Sequence, residues 1–155
     1  MNLSESCFND IVQLVEFFIT DEDSDLRNTK AIEGSKERHY KKDYYDQEKE
    51  KEDISKEQLP YEEELKGIYQ QIASNAMKRR SLMKKNPNSP EIIELTKNNT
   101  ELWKKLKEPL KQSLSLGNKI KNIQNKQDSS WNNWQEAKNK KSNVINQIKN
   151  NEEGK

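Results

Sequence analysis

The sequence predicts an all-α protein. The expected architecture is an elongated antiparallel helical hairpin or coiled coil, preceded by a short N-terminal amphipathic helix and a charged, disordered linker. Three observations carry this expectation. Apolar residues make up 30% of the chain and charged residues 35%, with Leu, Ile, Val and Phe supplying 30 of 155 residues. That is too little for a thick core, but enough for a narrow seam between long helices. Apolar residues also recur three and four apart from Tyr61 onward, the helical period. Strand signals are missing: there are only three valines, no alternation and no Asn-Gly or Asp-Gly turn.

Residues 1–19 hold the most apolar segment. Ser4 or Ser6 can cap a helix on which Cys7, Ile11, Leu14, Val15 and Phe18 share a face, with Phe8, Val12 and Ile19 beside them. Residues 20–58 read as an acidic, disordered or fraying linker with transient helix from about Lys36 onward, rather than a solvated helix supported by Glu52–Lys56, because KKDYYDQEKEKEDISKEQ is nearly devoid of aliphatic side chains. Like charges also stand four apart there, at Glu48–Glu52 and Asp53–Glu57. Pro60 then suits a first helical turn, followed by Glu62, Glu63 and Glu64 near the positive end of the dipole.

The first hairpin helix is expected over about residues 61–85. Its seam is Tyr61, Leu65, Ile68, Ile72, Ala76 and Met83, a spacing closer to an 11-residue repeat than to strict heptads, with Arg79 filling the gap. Lys84 and Lys85 complement the C-terminal dipole, Asn86 can cap, and Pro87 cannot continue. Ser89, Pro90 and Glu91 form a helix start. The second helix, about 90–127, carries Ile92, Leu95, Leu102, Leu106, Leu110 and Leu114, resuming at Ile120 and Ile123. Asn99 is its polar seam residue, and Pro109 is expected to kink it or start a new helix. Either a third helix, about 130–149, begins near Ser130 or the second runs on through it; Trp131, Trp134, Ala137, Lys141, Val144 and Ile148 share a face there, before a frayed tail at 151–155. A connection of about four residues favours antiparallel neighbours.

The near-zero net charge of +1 hides an asymmetry: residues 1–64 carry −10 and residues 65–155 carry +11. The acidic half can neutralise the basic half, or each can meet a partner of opposite sign. Chemistry is sparse. One cysteine, Cys7, and one histidine, His39, cannot build a Cys/His metal site or a histidine-based nucleophile system within one chain. His39 is expected in solvent. Asp21, Asp23 and Asp25 open like a calcium loop, but Leu26 stands where its glycine belongs. The four glycines lie far apart, so no phosphate-cradling loop exists. No catalytic residue, metal ligand or cofactor is expected.

The expected function is a non-enzymatic scaffold or adaptor subunit of a multiprotein assembly. It would bind through Phe8, Ile11, Val12, Val15 and Phe18 of the N-terminal helix, and through Leu65, Ile68, Ile72, Leu95, Leu102, Leu106, Leu110, Ile120, Trp131 and Trp134 of the seam. The partner is a protein, in a homo- or hetero-oligomer. Alternatives are a nucleic-acid-binding helical protein using the basic half, with Lys78, Arg79, Arg80, Lys84 and Lys85 as phosphate or import contacts, or a small inhibitor acting through its acidic region. The lone cysteine and the lack of a long apolar stretch predict a soluble intracellular protein, cytoplasmic or nuclear, with no membrane partner.

Overall fold

A computed structural model describes residues 22–154. Two α-helices account for nearly all of them: α1, Glu22–Lys85, and α2, Pro90–Glu153. The described residues are all-α, and the helices pack on each other as a hairpin. The connection matches the sequence signals. Asn86 N–H still donates to Leu82 at 2.7 Å, Ser89 N–H donates to Asn86 at 3.1 Å, and the Ser89 carbonyl accepts from Ile92 N–H at 3.1 Å. Asn86 thus closes α1 and Ser89 opens α2, as a capping residue before Pro90 should.

Three expectations are corrected. Residues 22–58 are not a disordered linker; they form the first half of α1 without a break. Pro60 is not a helix start but an interior residue, and its exposed side of the helix tolerates one lost backbone bond. Pro109 likewise lies inside a helix and starts no new one, and of the two readings of 90–149 the single run is the one seen: one element that continues into the tail expected to fray, to Glu153. The expected N-terminal helix lies outside the described residues.

Both helices contribute to two compact units, each described by itself. The elbow unit is Lys49–Gln124. On its α1 the covered positions form the row 51, 54, 58, 61, 65, 68, 72, 75, 79 and 82, with only Gly67 off it, and on its α2 the row is 92, 95, 99, 102, 106, 109, 113, 116, 120 and 123. Steps of three and four alternate throughout, so the seam follows heptads and not an 11-residue repeat. Past Ile72 it runs through Asn75, Arg79 and Leu82, leaving Ala76 and Met83 exposed. Past Leu106 it runs through Pro109, Ser113 and Leu116; Leu114 is 60% exposed whereas Leu116 is 4% exposed.

Leu65, Ile68, Ile72 and Leu106 form the centre, with Leu102 and Leu110 packed against it. The polar seam positions are paired. Asn75 Nδ2 donates to Asn99 Oδ1 at 3.0 Å, and Gln58 Nε2 donates to the Ser113 carbonyl at 3.0 Å and to its hydroxyl at 3.2 Å. Pairing removes the cost of burying an amide among leucines.

Arg79 is the exception. It is half-buried on the seam, and its Nε has no hydrogen-bond partner. Replacing a poorly satisfied buried polar atom by an apolar one of similar reach is favourable. Arg79→Leu should therefore raise stability by about 1 kcal/mol. Urea unfolding of the whole chain checks this; a loss of stability would mean that the guanidinium has a partner that holds it.

The terminal unit comprises the described residues 22–48 and 125–154. Its seam is polar. Gln127 is its most deeply buried side chain, at 1% exposure, and its amide donates to the Glu48 carboxylate and, at 3.4 Å, to the Tyr44 carbonyl. Ser130, Ala137 and Val144 complete the α2 side. An aromatic group flanks this seam. Tyr44 stands 5.5 Å from Trp131 and 6.0 Å from Trp134, and the two tryptophans are 5.2 Å apart, edge to face. Lys41 Nζ lies 5.7 Å from the Trp134 ring centre. His39, expected in solvent, is half-buried, with Asp43 at 3.3 Å.

Candidate interaction surface

The heptad phase of the elbow unit divides its surface into two unlike sides. Each seam residue has neighbours just before and just after it in sequence, and these flank the seam on opposite sides. On one side stand Glu57, Glu64, Gln71 and Lys78 of α1 with Glu91, Asn98, Lys105 and Gln112 of α2, all polar. On the other stand Glu62, Tyr69, Ala76 and Met83 of α1 with Thr96, Trp103, Leu110 and Gly117 of α2, a mostly apolar set bordered by Ala73, Ile93 and Leu114.

The structure joins the two helices on that apolar side. The Tyr69 and Trp103 rings meet edge to face at 6.2 Å, although Tyr69 remains 44% and Trp103 51% exposed. A shallow groove of about 590 Å³ runs beside them, lined by Leu65, Tyr69, Ala73 and Ser113 with Glu62, Lys66 and Gln70 at its rim. Apolar floor with a charged rim is the layout of a protein-binding patch. Among the described residues, no group of three or more His, Cys, Asp or Glu side chains could hold a metal ion.

Leu65, Ile68, Ile72, Leu95 and Leu106 are buried within the hairpin itself. Leu102, Leu110, Ile120 and Trp134 are half-buried and Trp131 is exposed. Phe8, Ile11, Val12, Val15 and Phe18 lie outside the described residues. In the basic cluster Lys78, Arg80, Lys84 and Lys85 are exposed while Arg79 turns into the seam, so the five cations do not form one surface. Tyr69 is the residue that sequence reading missed. Its signal was position: an aromatic residue directly after seam residue Ile68, as Trp103 directly follows Leu102.

The charge asymmetry has a partial internal outlet in the terminal unit. Lys141 Nζ sits 3.0 Å from the Glu37 carboxylate. That contact, helped by the Trp134 indole and by Lys138, holds the Glu37 carboxyl below the usual carboxylate range against the opposing effect of its burial. A carboxyl whose folded value is lowered stabilises above its unfolded value, about 4.3, and loses that contribution as pH falls through the folded value. Glu37→Gln should lower the thermal midpoint at neutral pH and bring variant and wild type together in acid. An equal deficit at both pH values would remove the ion pair as its cause.

No protein-family model matches the chain, and comparison with curated proteins and with solved structures finds no significant match. The fold and this surface therefore define the class by themselves: an all-α helical hairpin with an apolar side. Among the described residues no helix is long and apolar enough to cross a membrane.

Proposed function

We propose that the chain is a non-enzymatic scaffold or adaptor. Its elbow unit, a two-stranded coiled coil, binds a helix of another protein along the side marked by Tyr69 and Trp103. The observation that carries this reading is the asymmetry of the seam's flanks: one is wholly polar, the other holds two exposed aromatics in contact. A hairpin needing only solubility gains nothing from an apolar flank, whereas a third helix laid there would complete a bundle. Trp and Tyr are also the residues that most often anchor interfaces.

Salt distinguishes this from nucleic-acid binding through Lys78, Arg80, Lys84 and Lys85. An apolar interface survives high salt, whereas phosphate contacts weaken by orders of magnitude. The tagged chain, purified from its native cell, should keep its protein partner as salt rises from about 0.1 to about 0.5 M. Loss of the bound material over that range, with nucleic acid in the wash, would overturn the reading.

A further inference from the structure

Within the elbow unit, the charges on the outer surface of α2 are sorted into rows. Going around α2 from the seam on the apolar side, Trp103 and Leu110 come first, and Lys107 and Leu114 next. Lys97, Lys104 and Lys111 follow, seven residues apart. Beyond them, toward the polar flank, stand Glu94, Glu101 and Glu108, at the same spacing. The four lysines are exposed, and they, not the glutamates, border the aromatic pair. On α1 the same side carries Lys66 at the rim of the groove and exposed Arg80, with Glu62 as the acid beside Lys66.

Support of the helix explains only part of the lysine row. Lys104 pairs with Glu101 at 3.2 Å, whereas Glu108 accepts from Gln112 at 3.0 Å. Lys107 has only Trp103, Lys104, Leu110 and Lys111 three and four residues away, so its own helix offers it no acid. Lys104, Lys107 and Lys111 therefore form a chain of like charges at the spacing where like charges repel. That arrangement is unfavourable in the hairpin alone and becomes favourable opposite a row of carboxylates.

We propose that the occupant of the apolar side is an acidic amphipathic helix of another protein. Its apolar stripe covers Tyr69 and Trp103, and Asp or Glu residues along one edge meet Lys97, Lys104, Lys107 and Lys111. This rests on the docking reading given above and names the chemistry of the partner. Charge and shape select against other occupants. A second copy docked by the same side would set one lysine row against another across a two-fold axis. A second copy docked by its polar flank would offer glutamates but no apolar stripe for the two rings. Nucleic acid would match the lysines. However, Tyr69 and Trp103 meet edge to face instead of presenting parallel faces to successive bases, and Ala73, Ile93 and Leu114 extend an aliphatic border that bases do not need. The apolar stripe sets how long the complex lasts, and the lysine row sets how fast it forms and which helices are admitted. Salt then slows association and leaves the formed complex in place.

Two labelled peptides of about 22 residues, long enough to follow α2 from Ile93 to Leu114, test this on the full chain. Both carry the same leucine stripe; one is edged with glutamate and the other with lysine. Fluorescence anisotropy should show the glutamate peptide binding about tenfold more tightly at about 0.05 M salt, with the gap narrowing at about 0.5 M. Lys104→Glu with Lys107→Glu and Lys111→Glu should reverse the order, while Lys105→Glu with Lys119→Glu on the polar flank should keep it. Equal binding of the two peptides, both lost on Tyr69→Glu with Trp103→Glu, would overturn the acidic partner and leave the docking side standing. Binding of neither peptide, or binding that survives Tyr69→Glu with Trp103→Glu, would overturn both. A single-stranded oligonucleotide displacing the glutamate peptide as well as the unlabelled peptide does would assign the row to phosphates and overturn the proposal. So would sedimentation of the chain alone as a dimer that Tyr69→Glu with Trp103→Glu dissociates, which would assign the side to a second copy.

Discussion

Leu106→Asp should unfold the elbow unit. Leu106 is 4% exposed among Leu65, Ile68 and Ile72, with Leu102 and Leu110 against the same cluster. Truncating such a leucine costs about 2–5 kcal/mol, and a carboxylate in its place adds a burial penalty with no cation on the seam beside it. The total, about 5 kcal/mol or more, is comparable to the whole stability of a small domain. Leu116→Asp should act similarly, being equally buried. Leu114→Asp, two residues away but largely exposed, should change stability by less than about 0.5 kcal/mol. Urea unfolding followed by circular dichroism measures all three. Leu114→Asp proving as harmful as Leu116→Asp would place the seam on the wrong face of α2.

The second large effect belongs to Gln127. Its buried amide bonds the Glu48 carboxylate and the Tyr44 carbonyl across the terminal unit. Gln127→Leu keeps most of the volume and removes both bonds, one of them to a charged acceptor, so a loss of about 2 kcal/mol is expected. Gln127→Glu should cost more, because it sets a second carboxylate against Glu48 in a buried place. The sign with pH differs between the two. Repulsion favours the protonated form, so the Gln127→Glu deficit should shrink as pH falls, whereas the Gln127→Leu deficit should not. Parallel pH profiles for the two variants would mean that Glu48 and residue 127 do not face each other.

The elbow was legible because its signals are local. Lys84 to Glu91 stop one helix and start the next through caps and prolines, which need no knowledge of the partner strand. The seam was legible only while it stayed apolar. Following apolar residues alone past Ile72 leads to Ala76 and Met83, and past Leu106 to Leu110 and Leu114. The structure instead passes through Asn75, Arg79, Pro109 and Ser113. Asn75 and Ser113 are acceptable there because Asn75 meets Asn99 and Ser113 meets Gln58, partners 24 and 55 residues away.

The same cause hid the terminal unit. Residues 22–48 contain few aliphatics and read as solvated chain, yet Glu37, Tyr44 and Glu48 find Lys141 and Gln127 some 79 to 104 residues later. Polar complementarity at that distance leaves no periodic apolar trace. The apolar side of the elbow lies between these cases. Tyr69 and Trp103 were visible as aromatics, but their common side appears only once the seam's phase is known.

That apolar side is the central claim, and a paired capture experiment tests it most directly. The tagged full chain is purified from its native cell as wild type, as Tyr69→Glu with Trp103→Glu, and as Gln71→Glu with Lys105→Glu on the polar flank. All four positions are exposed, so each variant should keep wild-type circular dichroism. The account predicts a protein partner held by wild type and by the polar-flank variant, and lost from the Tyr69–Trp103 variant. A partner retained by the Tyr69–Trp103 variant, or lost only when the polar flank is changed, would contradict it.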